Sequence, residues 1–364
     1  MSRSFSLYLD FIRFSAAMFV FLYHSSNYYR YDSVLFKMGH EAVVIFFVMS
    51  GFIIAYCQDT KEKKLRDYLV NRASRIYSVA LPAVILTFGL DLAGNVLSPE
   101  SYGEHFDLPI IRFVSSLLFT NELWVVSIQS FSNVPYWSIN YEVWYYLMFA
   151  AAFYFDKRWL PLFVVLCLIA GPKILMLAPC WWVGVWIYKK NPLQNIGFRT
   201  NSVIFIGSIL AYVLFAQYGV SYKGWALFES WVGSEIFKEF AFSRYFITDY
   251  LLTFIVCANF SSARIVFAKI DYTDNRITKT IRYLANLTFA LYLLHQPLLN
   301  FFDAAFKSYK FAPQVHHLVM AVCTLMLVLL IGHPIEKTKH VYRRMFNKVA
   351  DKIVGLPRMA NAKT

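Results

Sequence analysis

The sequence predicts an all-α, polytopic integral membrane protein with about ten transmembrane helices and one re-entrant or interfacial segment. Three observations carry that expectation. Of 364 residues, 58% are hydrophobic and 19% aromatic, and the mean hydropathy is +0.47, a balance foreign to soluble domains. Apolar runs recur along the whole chain with only short polar segments between them, so no soluble domain of useful size is left over. The Lys and Arg residues gather mainly in alternate connecting segments, the pattern that orients helices in a bilayer.

The first span, residues 7–29, is long enough to cross yet carries Asp10, Arg13 and His24. Those charges interrupt the apolar core a cleavable signal peptide needs, and no small-x-small site follows, so the segment is expected to remain as the first helix. A second span covers about 40–56. The loop after it, 57–75, holds Lys61, Lys63, Lys64, Arg66, Arg72 and Arg75, a density that places it, and the amino terminus, in the cytoplasm. A third span covers 76–92. Residues 93–134 then hold Arg112 as their only Lys or Arg, with a stretch at 108–119 too short to cross. Counting it as a crossing would put the later basic loops on the wrong side. Residues 135–155 return to the cytoplasm. The short runs 159–170 and 174–188, divided by Gly171, Pro172 and Lys173, come as a pair and leave the topology unchanged. Residues 202–216 cross outward, 246–260 back, 283–305 outward and 315–332 back. Of 35 Lys and Arg residues, 25 then lie inside, nine outside and Arg13 within the membrane, with both termini cytoplasmic, as in a bacterial inner-membrane protein. Residues 1–335 read as one transmembrane domain. Residues 336–364 read as a basic tail whose Tyr342, Met345, Phe346, Val349 and Ile353, interleaved with Arg343, Arg344, Lys348 and Lys352, suit an amphipathic helix on anionic lipid.

The formal net charge of +13 belongs mostly to membrane-flanking loops and has no nucleic-acid motif beside it, so no nucleic acid is expected as a partner. Cys57, Cys167, Cys180, Cys257 and Cys323 show no metal-ligand spacing and read as small core residues. Neither a metal nor a disulfide framework is expected.

Ionisable residues inside a span are costly and usually functional. Eleven helical steps from Arg13 to His24 return to nearly the same face, about 16 Å along the axis, and Asp10 lies about one turn before Arg13. The first span thus presents a charged pair near one surface and an imidazole near the other, like the wall of a cavity crossing the membrane. Ser138 and Glu142, four apart in WSINYEVWYY, share a face; His295 precedes Pro297 in another apolar run; Ser50 and Gly51 allow close approach of backbone or ligand. Singly, each reads as a polar group satisfied in a helix interface, and Asp10 with Arg13 as a packing pair. Together they point to chemistry.

Arg13 with His24 after ten intervening residues, FFVMSGFII, Arg72 and Arg75 in NRASRIY, WSINYEVWYY and ALYLLHQPL follow one another across nearly the whole chain. In that order and spacing the sequence resembles acyltransferase family 3, membrane proteins that O-acylate extracytoplasmic glycans such as lipopolysaccharide, exopolysaccharide and nodulation factors. It departs at Ala42, where a glycine commonly precedes the FF segment, and at Ser78, where a proline often follows RIY. The resemblance implies a stand-alone membrane O-acyltransferase, foremost an O-acetyltransferase, moving an acyl group from cytoplasmic acetyl-CoA or another acyl-CoA to a hydroxyl of a glycan or lipid-linked saccharide. On that reading Arg13, Arg72 and Arg75 hold the donor's phosphates through planar guanidinium forks. The donor's thin arm runs along the polar face of the first span, and His24 acts as general base on a sugar hydroxyl, with a covalent acyl-His24 as a variant. Glu142 orients that imidazole or binds the acceptor, with Asp10, Ser50, Ser138 and His295 in support. The rival reading is a proton-coupled transporter using Asp10, Arg13, His24, Glu142 and His295, against which the two halves of the chain show no obvious repeat.

Overall fold

A computed structural model describes residues 1–29, 31, 33–102 and 107–354, the side chains of 157, 353 and 354 apart. The described residues form helices α1 (Arg3–Ser25), α2 (Gly39–Thr60), α3 (Leu65–Leu97), α4 (Pro109–Leu118), α5 (Trp137–Tyr154), α6 (Leu160–Ala170), α7 (Pro172–Lys190), α8 (Phe198–Gln217), α9 (Val220–Val232), α10 (Ser234–Glu239), α11 (Phe246–Val266), α12 (Arg276–Asn286), α13 (Thr288–Phe306), α14 (Pro313–Lys337) and α15 (Lys339–Val354). No strand occurs among them, only an isolated bridge between Ser130 and Asn133. Among the described residues six stretches are long and apolar enough to cross a membrane: Arg3–Ser25, Gly39–Thr60, Leu65–Leu97, Phe198–Gln217, Ala241–Val266 and Pro313–Lys352. The protein is an all-α polytopic membrane protein.

The α2 helix is the centre of the bundle, its Ala42, Val48 and Ala55 fully enclosed. It crosses α7 at two glycines. A Cβ on Gly51 would run into the Trp181 carbonyl, and one on Gly184 into the Val48 carbonyl and to 2.7 Å from the Phe52 nitrogen. With no hydrophobic drive between helices in lipid, such small residues let backbones meet and gain dispersion contacts. The close approach expected at Ser50–Gly51 is therefore an α2–α7 contact. The paired short runs fold back at Gly171, whose φ of +80° suits a residue without a Cβ.

The helix bounds depart from the apolar runs in several places. The expected basic loop 57–75 shrinks to a turn at 61–64, and Arg66, Arg72 and Arg75 stand on α3. The stretch LRDYLVNRASRIY contains no Gly or Pro, so the helix continues past its apolar portion. Tyr283 belongs to α12, a separate amphipathic helix opened by a capping box in which Asn275 and Thr278 satisfy each other's backbone N–H groups, so the span expected from 283 starts at Thr288. The long loop after α8 carries α9 and α10. The α15 helix is helical as expected but does not lie on lipid alone. Its Phe346 ring packs 5.6 Å from Tyr77 of α3 and Arg66 pairs with Asp351 at 2.6 Å, leaving Val341, Met345 and Val349 exposed. Residues 355–364 of the expected tail, and Arg30 of the first loop, lie outside the described residues.

Candidate functional site

Residues from α1, α2, α3, α5, α12, α13 and the start of α15 enclose a cavity of about 340 Å³. Arg13, Arg72, Arg75 and Lys339 line it, with Ser50, Ser138, Glu142, Tyr146 and Tyr292. The three arginines singled out in the sequence thus meet in space, brought together by packing of α1 and α3 around α13. Each is held by a carboxylate: Arg13 by Asp10 at 3.3 Å, Arg72 by Glu62 at 2.7 Å and Arg75 by Glu336 at 2.7 Å. Arg72 sits 5.9 Å from the rings of Tyr68 and Tyr146, and Arg75 lies 5.1 Å from that of Phe289. Lys339 makes no ion pair or hydrogen bond among the described residues and lies within the field of Arg75 and Arg72. The lining itself carries these four cations and one carboxylate, that of Glu142, while the carboxylates that hold the arginines stand outside it, an arrangement that presents positive groups to a polyanion.

Above the cations, Glu142 accepts hydrogen bonds from the Ser50 hydroxyl and, at 2.5 Å, from the Tyr146 hydroxyl. The Trp181 indole N–H donates to Ser50 Oγ at 3.1 Å. Tyr146 follows Glu142 by one helical turn, so the two share a face of α5. Ser138, one turn earlier, hydrogen-bonds the Tyr292 hydroxyl at 2.7 Å.

His24 and His295 do not line this cavity. Their rings lie 5.2 Å apart, and His295 is 6.2 Å from the Tyr292 ring, so Tyr292 and His295 stand between the cavity and His24. Glu142 is not beside His24. It lies about 6 Å deeper than Ser138 along α5, where it meets Ser50 and the field of Arg13. The rings that pack on the His24 imidazole are those of His295 and Tyr23, each 5.2 Å away. Pro297 helps place His295: proline breaks the hydrogen bond to the carbonyl four residues earlier, and that carbonyl, of Leu293, accepts from the Asn133 amide at 2.7 Å. His295 Nδ1 sits 3.0 Å from the Leu291 carbonyl, so in the neutral ring Nδ1 carries the proton and the buried Nε2, which has no partner among the described residues, presents a lone pair. His24 itself makes no side-chain hydrogen bond among the described residues.

Sequence reading missed Lys339, Tyr146, Trp181 and Tyr292. Tyr146 and Tyr292 had a signal, since they lie four residues after Glu142 and three before His295 on the same helix faces. Lys339 had none: it was one of several tail lysines until α15 docked on α3. Among the described residues no group of three or more His, Cys, Asp or Glu is placed to hold a metal ion.

Comparison with known proteins adds three findings. The acyltransferase-domain family profile matches residues 6–333. The exopolysaccharide production protein ExoZ of Rhizobium meliloti (strain 1021) is 30% identical over 131 residues, which are 34% of this chain and 37% of that protein. An O-acetyl transferase of Shigella phage Sf6 is 25% identical over 238 residues, 58% of this chain and 69% of that one. The matched segment therefore spans little more than a third of ExoZ. No solved structure matches the chain.

Proposed function

Since the chain belongs to acyltransferase family 3, with its acyltransferase domain over residues 6–333, we propose that it is a membrane O-acyltransferase that moves an acyl group, foremost acetyl, from cytoplasmic acyl-CoA to a hydroxyl of an extracytoplasmic glycan or lipid-linked saccharide. The observation that most supports this reading is the convergence of Arg13, Arg72, Arg75 and Lys339 on one cavity. Coenzyme A carries its anionic phosphates at one end of a thin arm and the thioester at the other. Guanidinium forks bind phosphate oxygens bidentately, and the unpaired Lys339 adds a charge that an incoming phosphate would satisfy.

From that anchor the arm passes Ser50 and Glu142 toward Tyr292 and then His24, about 16 Å from Arg13 along α1. His24 takes the proton of the acceptor hydroxyl as its oxygen attacks the thioester carbonyl. The C–S bond breaks, the ester forms, and the proton goes to the departing CoA thiolate. His295, packed on His24, positions that imidazole. Glu142, turned to Ser50 and Tyr146, shapes the passage of the arm. The lysines of the 61–64 turn and the basic α15 support an orientation with the Arg13 end toward the cytoplasm and the His24 end outside, both termini lying on the cytoplasmic side of a bacterial inner membrane. Purified protein in lipid vesicles, given radiolabelled acetyl-CoA and envelope glycans, tests the reading. Label in the glycan is expected. Solute uptake without any transfer would replace it with a transporter.

A further inference from the structure

A second polar cavity, of about 550 Å³, lies at the His24 end between the close of α1, the start of α2 and the α8–α9 turn. Its size falls within the usual range of small-molecule sites. Four tyrosines border it, Tyr23, Tyr31, Tyr218 and Tyr222, together with the amides of Asn27 and Gln217 and the carboxylate of Glu41. Glu41 is the telling group. Its side chain is buried, 2% exposed, and its Oε1 accepts from the Ser221 hydroxyl at 2.7 Å. Its Oε2 has no hydrogen-bond partner among the described residues. The adjacent imidazole of His40 is taken by Asp249 at 2.8 Å. A buried carboxylate oxygen without a donor is expensive, and Glu41 borders the cavity, so a hydroxyl donor reaching it from the cavity would be favoured.

The lining narrows the class of that ligand. An anion would meet the Glu41 carboxylate. Lys37 borders the same space. A neutral polyhydroxyl compound brings hydroxyl donors for Glu41, takes and gives hydrogen bonds at Asn27 and Gln217, and offers C–H faces to flat tyrosine rings. Tyr218, 65% exposed, is an aromatic plate at the rim with an apolar face and a polar edge. Tyr23 joins this cavity to the proposed base, since its ring meets that of His24 edge-on at 5.2 Å.

We propose that this cavity is a saccharide-binding site that holds the acceptor sugar beside His24, an assignment that rests on the acyltransferase reading above. The test uses the full-length protein in lipid vesicles, with lipopolysaccharide and exopolysaccharide purified from the source cells as acceptors and radiolabelled acetyl-CoA as donor. Glu41→Gln and Tyr218→Ala are each expected to raise the acceptor KM by about tenfold while leaving the donor KM unchanged. Tyr218 is exposed, so its variant keeps the test valid should Glu41→Gln fail to fold. An unchanged acceptor KM in Tyr218→Ala, or a rise confined to the donor KM, overturns the site while leaving the transferase reading intact. If the wild-type protein transfers no label, that reading falls by itself. Donor-free binding of the same glycans then decides the cavity: weaker binding in Tyr218→Ala supports it, and equal binding overturns it.

Discussion

Replacing Gly51 by alanine adds one methyl group at the tightest part of the bundle, and its consequence can be worked from the geometry. The new Cβ would stand less than 3.0 Å from the Trp181 carbonyl oxygen and 3.2 Å from the Val185 nitrogen, both backbone atoms of α7. A backbone carbonyl cannot rotate aside as a side chain can, so α7 must withdraw from α2. Overpacking of this kind costs about 1–3 kcal/mol, and a backbone obstacle puts Gly51 at the upper end. The retreat also draws the Trp181 indole from Ser50, now at 3.1 Å, losing about 1 kcal/mol. Alanine recovers roughly 1 kcal/mol of helix propensity, leaving a net loss of about 3 kcal/mol. At roughly 2.1 cal/mol/K per residue, this chain unfolds with an entropy of about 0.8 kcal/mol/K, so Tm should fall by about 4 °C. Gly207→Ala on α8 is the control, because a Cβ there meets nothing within 4 Å, and its Tm should hold or rise slightly. Thermal unfolding in detergent, with acetyl transfer measured in parallel, reads both variants. Gly51→Ala should also lose activity, since Ser50 and through it Glu142 are displaced. Equal Tm and equal activity in the two variants would refute the close α2–α7 contact.

Four further outcomes follow from the site. His24→Ala should insert and fold normally yet lose acyl transfer by at least about a hundredfold, the usual contribution of a general base; wild-type turnover would remove His24 from the mechanism. Arg13→Lys keeps the charge but not the fork, so the donor KM should rise about tenfold with the acceptor KM unchanged, whereas a purely structural pair with Asp10 would leave both alone. Lys339→Ala should likewise weaken acetyl-CoA binding, by about three- to tenfold, without lowering Tm, because the ammonium has no partner to lose; unaltered binding by direct titration would take Lys339 out of the donor site. Single cysteines at the exposed Lys63 and Lys348 in a cysteine-free background should react with an impermeant maleimide only after cells are opened, and labelling in intact cells would reverse the proposed orientation.

Hydropathy alone determined the class of fold, because in a bilayer backbone polar groups must be paired within helices or closed barrels and these apolar runs are of helical length. Local spacing determined which polar residues share a helix face: Asp10 with Arg13 and Ser138 with Glu142 stand as the spacing requires, and the first of these is an ion pair at 3.3 Å. The family was legible as well, since its motifs are short, ordered and local. Where helices begin and end was less so. Hydropathy marks the lipid-facing part of a helix, while Arg72 and Arg75 ride on a part of α3 that continues beyond it. Partnership across helices belonged to tertiary structure alone. Glu142 is expected from the resemblance to orient His24 or bind the acceptor, but packing across helices puts Ser50 beside Glu142 and His295 beside His24. Lys339 reaches the arginines only because α15 packs its Phe346 face on Tyr77. The unpaired oxygen of Glu41 exists only where α1, α2 and the α8–α9 turn converge, since a buried group's missing partner is a property of the whole packing and not of any one segment.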